Sequence, residues 1–135
     1  MYFDIFYSVF IINYRFFFAC SGLTSITIPD SITSIGGGAF YGCSSLKSVT
    51  IPDSVTSFGD RLFIGCSSLT SVTLNDNYKE VKYGDFANCA SLSSIVIPST
   101  VTRIGLRAFY NCTSLTSINL SNVTEFEYGC FLGSG

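Results

Sequence analysis

Five cysteines, Cys20, Cys43, Cys66, Cys89 and Cys112, stand 23 residues apart at every interval. A fixed period of this size restricts the chain to a solenoid, in which each period is one coil. A single coil of that length encloses too few side chains to offset the conformational entropy of ordering it. Coils must therefore stack, each burying the open faces of its neighbours.

The other columns of the repeat say what each coil contains. Aligned on the cysteines, the apolar positions are Leu23/Leu46/Leu69/Leu92/Leu115, Ile26/Val49/Val72/Ile95/Ile118, Ile28/Ile51/Leu74/Ile97/Leu120, Ile35/Phe58/Val81/Ile104 and Phe40/Phe63/Phe86/Phe109. The first three spell L-x-x-[IV]-x-[IL], whose alternation predicts a short half-buried strand with Val49 and Ile51 inward and Ser48 and Thr50 outward. All three prolines, Pro29, Pro52 and Pro98, follow that strand directly, where a missing N–H ends pairing without breaking a ladder. A second β-branched run then gives an extended return, followed by Gly36, Gly59 or Gly105 and a segment expected to be helical or 3₁₀. Gly42, Gly65, Asn88 and Asn111 precede the cysteines, and these residue types tolerate the left-handed backbone of a tight corner.

The period divides the single domain into regular units at 23–45, 46–68, 69–91 and 92–114, with a truncated unit at 115–135. The first 22 residues are read as a degenerate repeat or cap, because Phe3, Ile5, Val9, Ile12, Phe17 and Cys20 each lie 23 residues before an apolar position. The alternative is a targeting segment or anchor, against which stand Asp4, Asn13 and Arg15 and the lack of a preceding basic region. Membrane association is not expected from this chain.

Composition narrows function mainly by exclusion. The chain has no His and no Trp, which removes imidazole acid–base chemistry and Ser-His or Cys-His nucleophile pairs. Only 12% of residues are charged, about half the roughly 25% usual for soluble domains, and seven scattered Lys and Arg form no nucleic-acid footprint. No cofactor is implied. The cysteine column has parallel side-chain vectors and no C-x-x-C pair, so it predicts buried, passive thiols rather than a disulfide framework or metal site. Cys130 differs, since the shortened last unit moves it into the Ala39/Ala108 column.

The units "LTSITIPDSITSIGGGAFYGCSS", "LKSVTIPDSVTSFGDRLFIGCSS" and "LSSIVIPSTVTRIGLRAFYNCTS" resemble the BspA-like leucine-rich repeat, with its L-x-x-[IV]-x-[IL]-P strand and A-F-x-x-C corner. The resemblance runs from Leu23 to Phe131. It implies a right-handed leucine-rich-repeat solenoid, with one parallel strand per coil on the concave face. It also implies a noncatalytic recognition or adhesion protein at the cell surface or outside the cell, with protein ligands such as host extracellular matrix. The last unit carries no capping element, so its end is a candidate for self-association.

The candidate ligand-binding surface is the outward side of the strands: Ser25, Thr27, Ser48, Thr50, Ser71, Thr73, Ser94, Val96, Ser117 and Asn119. Such a hydroxyl ladder suits a protein ligand and also suits ordered water on ice, a glycan, or a purely structural or surface-layer role, in which Ser and Thr are strand-tolerant filler. The third unit, "LTSVTLNDNYKEVKYGDFANCAS", departs from the pattern at Asn75, Lys82 and Asp85. Its charges Lys79, Glu80, Lys82 and Asp85 are read as a solvated edge and a candidate specificity patch. Asn111, Asn119 and Asn122 begin N-x-[ST] triplets, which matter only under eukaryotic secretion.

Overall fold

In the computed structural model, residues 2–4, as backbone, and 10–135 are described. Every coil contributes two short strands. The first set is β1 (Tyr2–Asp4), β3 (Ser25–Thr27), β5 (Ser48–Thr50), β7 (Ser71–Thr73), β9 (Ser94–Ile95) and β11 (Ser117–Ile118). The second is β2 (Ile11–Ile12), β4 (Ser34–Ile35), β6 (Ser57–Phe58), β8 (Glu80–Val81), β10 (Arg103–Ile104) and β12 (Glu125–Phe126). All pairings are parallel between successive coils. Phe3 lies opposite Ile26, Val49 opposite Val72 and Ile12 opposite Ile35, each one period apart. Between the last two coils Ile104 meets Phe126, so the one-residue deletion falls in the turn after β11.

The return segment thus builds a second set of parallel sheets. The expected helical or 3₁₀ segment is a correction: no helix occurs among the described residues, and a run of turns carries the chain from the return strand to the corner. Each such run is too short for an unaided helix, and its amides instead donate across to the next coil, as Phe40 does to Leu62 and Phe63 to Asp85. At the corner, Gly42, Gly65, Asn88 and Asn111 all have positive φ, as their residue types predict. Gly59 is required for a different reason, because a Cβ there would lie 2.1 Å from the Gly37 nitrogen of the preceding coil.

Between the sheets runs the core. Phe17, Phe40, Phe63, Phe86, Phe109 and Phe131 form one stack of near-parallel rings, with centroids 5.3 to 5.5 Å apart. The leucine column and four of the cysteines, Cys43, Cys66, Cys89 and Cys112, are fully buried beside it. Of the residues assigned to the opening unit, Ile12 and Phe17 are buried and Cys20 packs against the core. The side chains of Phe3, Ile5 and Val9 lie outside the described residues.

The thiols are free, and each donates to a phenylalanine carbonyl of the previous coil: Cys43 to Phe17, Cys66 to Phe40, Cys89 to Phe63 and Cys112 to Phe86, at 3.0 to 3.2 Å. Burial pushes the Cys43 thiol up to about 11 and Cys112 up to about 12, so neither is a nucleophile near neutrality. Iodoacetamide should therefore label Cys20 first and the buried four only as the protein unfolds. Adding reductant should leave the melting curve unchanged, and a large fall in Tm would reveal disulfides instead.

Candidate functional site

The outward side chains of β3, β5, β7, β9 and β11 stack in register. Ser25 faces Ser48, Ser48 faces Ser71, Thr50 faces Thr73 and Ser94 faces Ser117. Thr27, Ser48, Thr50, Ser71, Thr73, Ser94, Val96, Ser117 and Asn119 are exposed and Ser25 is half-buried. Alternation alone places them there, since each intervening residue, such as Val49 or Val72, points into the core. The row is not uniform. Val96 is 82% exposed where threonines stand in earlier coils, and the Asn119 side chain accepts from the Ser121 N–H in a local turn.

The ladder itself is interrupted. β1, β3, β5 and β7 form one sheet, and pairing resumes only between β9 and β11. A groove of about 470 Å³ opens at this break, lined by Ser71, Thr73, Asp76, Ser94, Val96 and Pro98 among others. The return sheet breaks one coil earlier, between β6 and β8, where a groove of about 270 Å³ is lined by Ser57, Phe58, Tyr78, Lys79, Glu80 and Lys82. The third unit is therefore stitched to the second through its concave strand and to the fourth through its return strand.

Its irregular residues explain the arrangement. Tyr78 takes the column occupied by Ile32, Val55 and Val101, and it meets Phe58 edge-on with centroids 5.2 Å apart, wedging the return strands apart. In coils with Gly at the column of Lys82, the glycine N–H donates to the preceding return strand, as Gly59 does to Ile35 and Gly105 to Val81. Here the Lys82 N–H turns inward to the Asp85 carboxylate, and the Lys82 ammonium covers the Phe58 carbonyl in its place. Asn75 donates to the Pro52 and Val55 carbonyls at 2.7 and 2.9 Å, tying this coil back to the second.

Asp85 therefore belongs to the core, which corrects its assignment to a surface specificity patch. It is fully buried and accepts from the Tyr78 hydroxyl, the Leu62 N–H at 3.2 Å and the Lys82 N–H at 2.9 Å. Desolvation pushes its carboxyl up to about 6, an effect that those donors and the Lys82 charge oppose. Of its former companions, Glu80 pairs with Arg103 at 3.2 Å and Lys82 is engaged as described. Lys79 is exposed, with its ammonium on the Asp76 carbonyl at 2.6 Å. The register could have revealed Asp85, since it shares a column with Ala39, Leu62 and Ala108.

Stacked coils with a parallel concave strand each, a phenylalanine stack and a cysteine corner define a leucine-rich-repeat solenoid. More narrowly, residues 10–135 match six copies of the family described as "BspA type Leucine rich repeat region", and the chain belongs to that family. It is similar to a solved leucine-rich repeat protein from Bacteroides ovatus, with 33% identity and a TM-score of 0.91 over 98% of this chain and 34% of that one. A leucine-rich repeat protein from Eubacterium ventriosum has 31% identity and a TM-score of 0.79, covering 98% of this chain and 42% of that one. The leucine-rich repeat protein of T. pallidum shares the fold at 24% identity and a TM-score of 0.64, with 91% and 80% covered. The chain thus spans less than half the length of the first two. None of the curated proteins matches it.

Proposed function

We propose that this chain is a noncatalytic interaction module of a cell-surface or extracellular protein, and that it recognises a protein ligand through the concave strands around the break between β7 and β9. The observation that carries this reading is the interruption of an otherwise regular surface. Val96, exposed at the rim of that groove, supplies apolar contact area of a kind that protein partners use. Membership of the BspA-type family supports the class, and extracellular matrix proteins are the ligands that the resemblance to that family implies.

The same observation disfavours the ice-binding alternative. Ordered water needs an unbroken array, whereas here Val96 and Asn119 replace threonine and strand pairing lapses at its centre. Purified extracellular matrix proteins, titrated over the immobilised chain beside an ice-recrystallisation assay, test the reading. Saturable binding to a matrix protein with no effect on ice is expected. Inhibition of recrystallisation without protein binding would overturn it.

A further inference from the structure

The turn after each return strand holds a column with a period of two coils. Its residues are Arg15, Gly38, Arg61, Gly84, Arg107 and Gly129, and all six have positive φ, between 51° and 64°. Glycine is the unstrained choice at such a turn, and alternate coils use it. Arginine persists at the others despite the left-handed backbone, which points to a use for the side chain. Each arginine stem lies over the glycine of the next coil: a Cβ on Gly38 would stand 3.2 Å from Arg15 Cγ, and one on Gly84 would stand 3.7 Å from Arg61 Cγ. A Cβ at these glycines would touch the stem before it, so an arginine in every coil would crowd successive side chains.

The guanidinium groups stand on aromatic rings. Arg15 lies 4.7 Å from the Phe18 centroid and 5.6 Å from that of Tyr41, Arg61 lies 4.7 Å from Tyr83, and Arg107 lies 5.5 Å from Tyr110. A ring under one face fixes the plane of the fork and leaves its N–H edges to bind an anion bidentately. Among the described residues no carboxylate pairs with Arg15 or Arg107. Asp60 reaches Arg61 only at 3.8 Å, with both side chains 43% exposed, a loosely held pair. Paired parallel strands lie about 4.8 Å apart, so arginines two coils apart stand on the order of 10 Å apart along the axis. Tyr14, 64% exposed, and Phe18, 45% exposed, both flank the Arg15 guanidinium and keep part of their ring surface open at one end of the row.

We propose that Arg15, Arg61 and Arg107 form a second binding surface, separate from the concave strands, for a linear acidic polysaccharide bearing an anionic group on every second sugar. A two-coil spacing of cations matches a repeat of two sugars, and the exposed aromatic faces suit the apolar faces of sugar rings. Neither feature is needed to hold a featureless polyanion.

Size-defined hyaluronan and heparin oligosaccharides, which carry carboxylates alone or carboxylates with sulfates, are titrated by calorimetry against the parent chain and two charge-matched variants. Arg61→Gln with Arg107→Gln should weaken binding at least tenfold, while Lys47→Gln with Lys79→Gln should change it less than threefold. Affinity should rise with oligosaccharide length until all three arginines are spanned. Should the glutamine variant fail to fold by circular dichroism, Arg61→Lys with Arg107→Lys keeps the charges, loses the planar fork, and should still weaken binding. The proposal is overturned if neither oligosaccharide binds saturably, if the two charge-matched variants lose affinity equally, or if single-stranded DNA binds as tightly with the same variant pattern.

Discussion

Replacing Phe63 with alanine is expected to cost about 3–5 kcal/mol, a large share of what a domain of this size has. Its ring lies between those of Phe40 and Phe86, at 5.4 Å from each and within 13° of parallel, and none of it is exposed. Deletion leaves a cavity at the middle of the stack, where both neighbours are fixed by their own partners and cannot collapse into it. Because each coil is held only by its neighbours, the loss falls on the two interfaces this ring serves and weakens the array at its middle. Urea denaturation followed by circular dichroism should show either a much lower midpoint or two transitions. A native-like midpoint would mean that the ring column is not the core.

The second large effect is a dependence on pH centred on Asp85. Its carboxyl is raised from 3.8 to about 6 in the folded chain, so the folded state holds the proton more tightly than the unfolded one. The contribution to stability is therefore complete below about pH 4 and is lost as pH rises through about 6, a change on the order of 3 kcal/mol for two units. Lys82 opposes the shift, and Tyr78 and the Leu62 and Lys82 amides solvate the charge. Asp85→Asn carries no charge at either pH. The difference in unfolding free energy between parent and variant should accordingly grow in the variant's favour from pH 4 to pH 7. A difference that stays constant over that range would place Asp85 in contact with solvent.

Much of this architecture is written in the sequence, because a solenoid repeats its physics with its residues. The cysteine interval fixes the coil, Val49 against Thr50 fixes the strand face, and Gly42 and Asn88 mark the corner by backbone tolerance alone. Four features emerged only with the structure. The return strands pair into sheets of their own, which two-residue segments such as Ser34–Ile35 are too short to signal by alternation. Asp85 was hidden by its neighbours, since Lys79, Glu80 and Lys82 give it the look of a solvated edge although its column is apolar. The break between β7 and β9 has no mark on the fourth unit, whose Leu92 to Ile97 fits the pattern. What departs is Asn75 in the coil before, which bonds the Pro52 and Val55 carbonyls of the second unit, contacts that no single-coil pattern contains. The arginine row was missed because its period is twice the one that organises everything else.

On the proposed function, the concave side chains are spared from folding and devoted to recognition. The most direct measurement compares a concave variant, Ser48→Lys, Thr50→Glu, Ser71→Glu and Thr73→Lys, with an edge variant, Thr56→Lys, Ser57→Lys and Asp60→Lys, for melting and for affinity toward the matrix protein bound by the parent. Opposite charges face each other across β5 and β7 in the concave variant, which avoids repulsion within the sheet. Surface changes of this kind usually cost within about 0.5 kcal/mol each, so both proteins should remain folded. The concave variant should lose binding, because its charges block close approach and would be left unpaired against the ligand, while the edge variant should bind as the parent does. A folded concave variant that binds normally, beside an edge variant that does not, would contradict that reading and move recognition to the return side of the second unit.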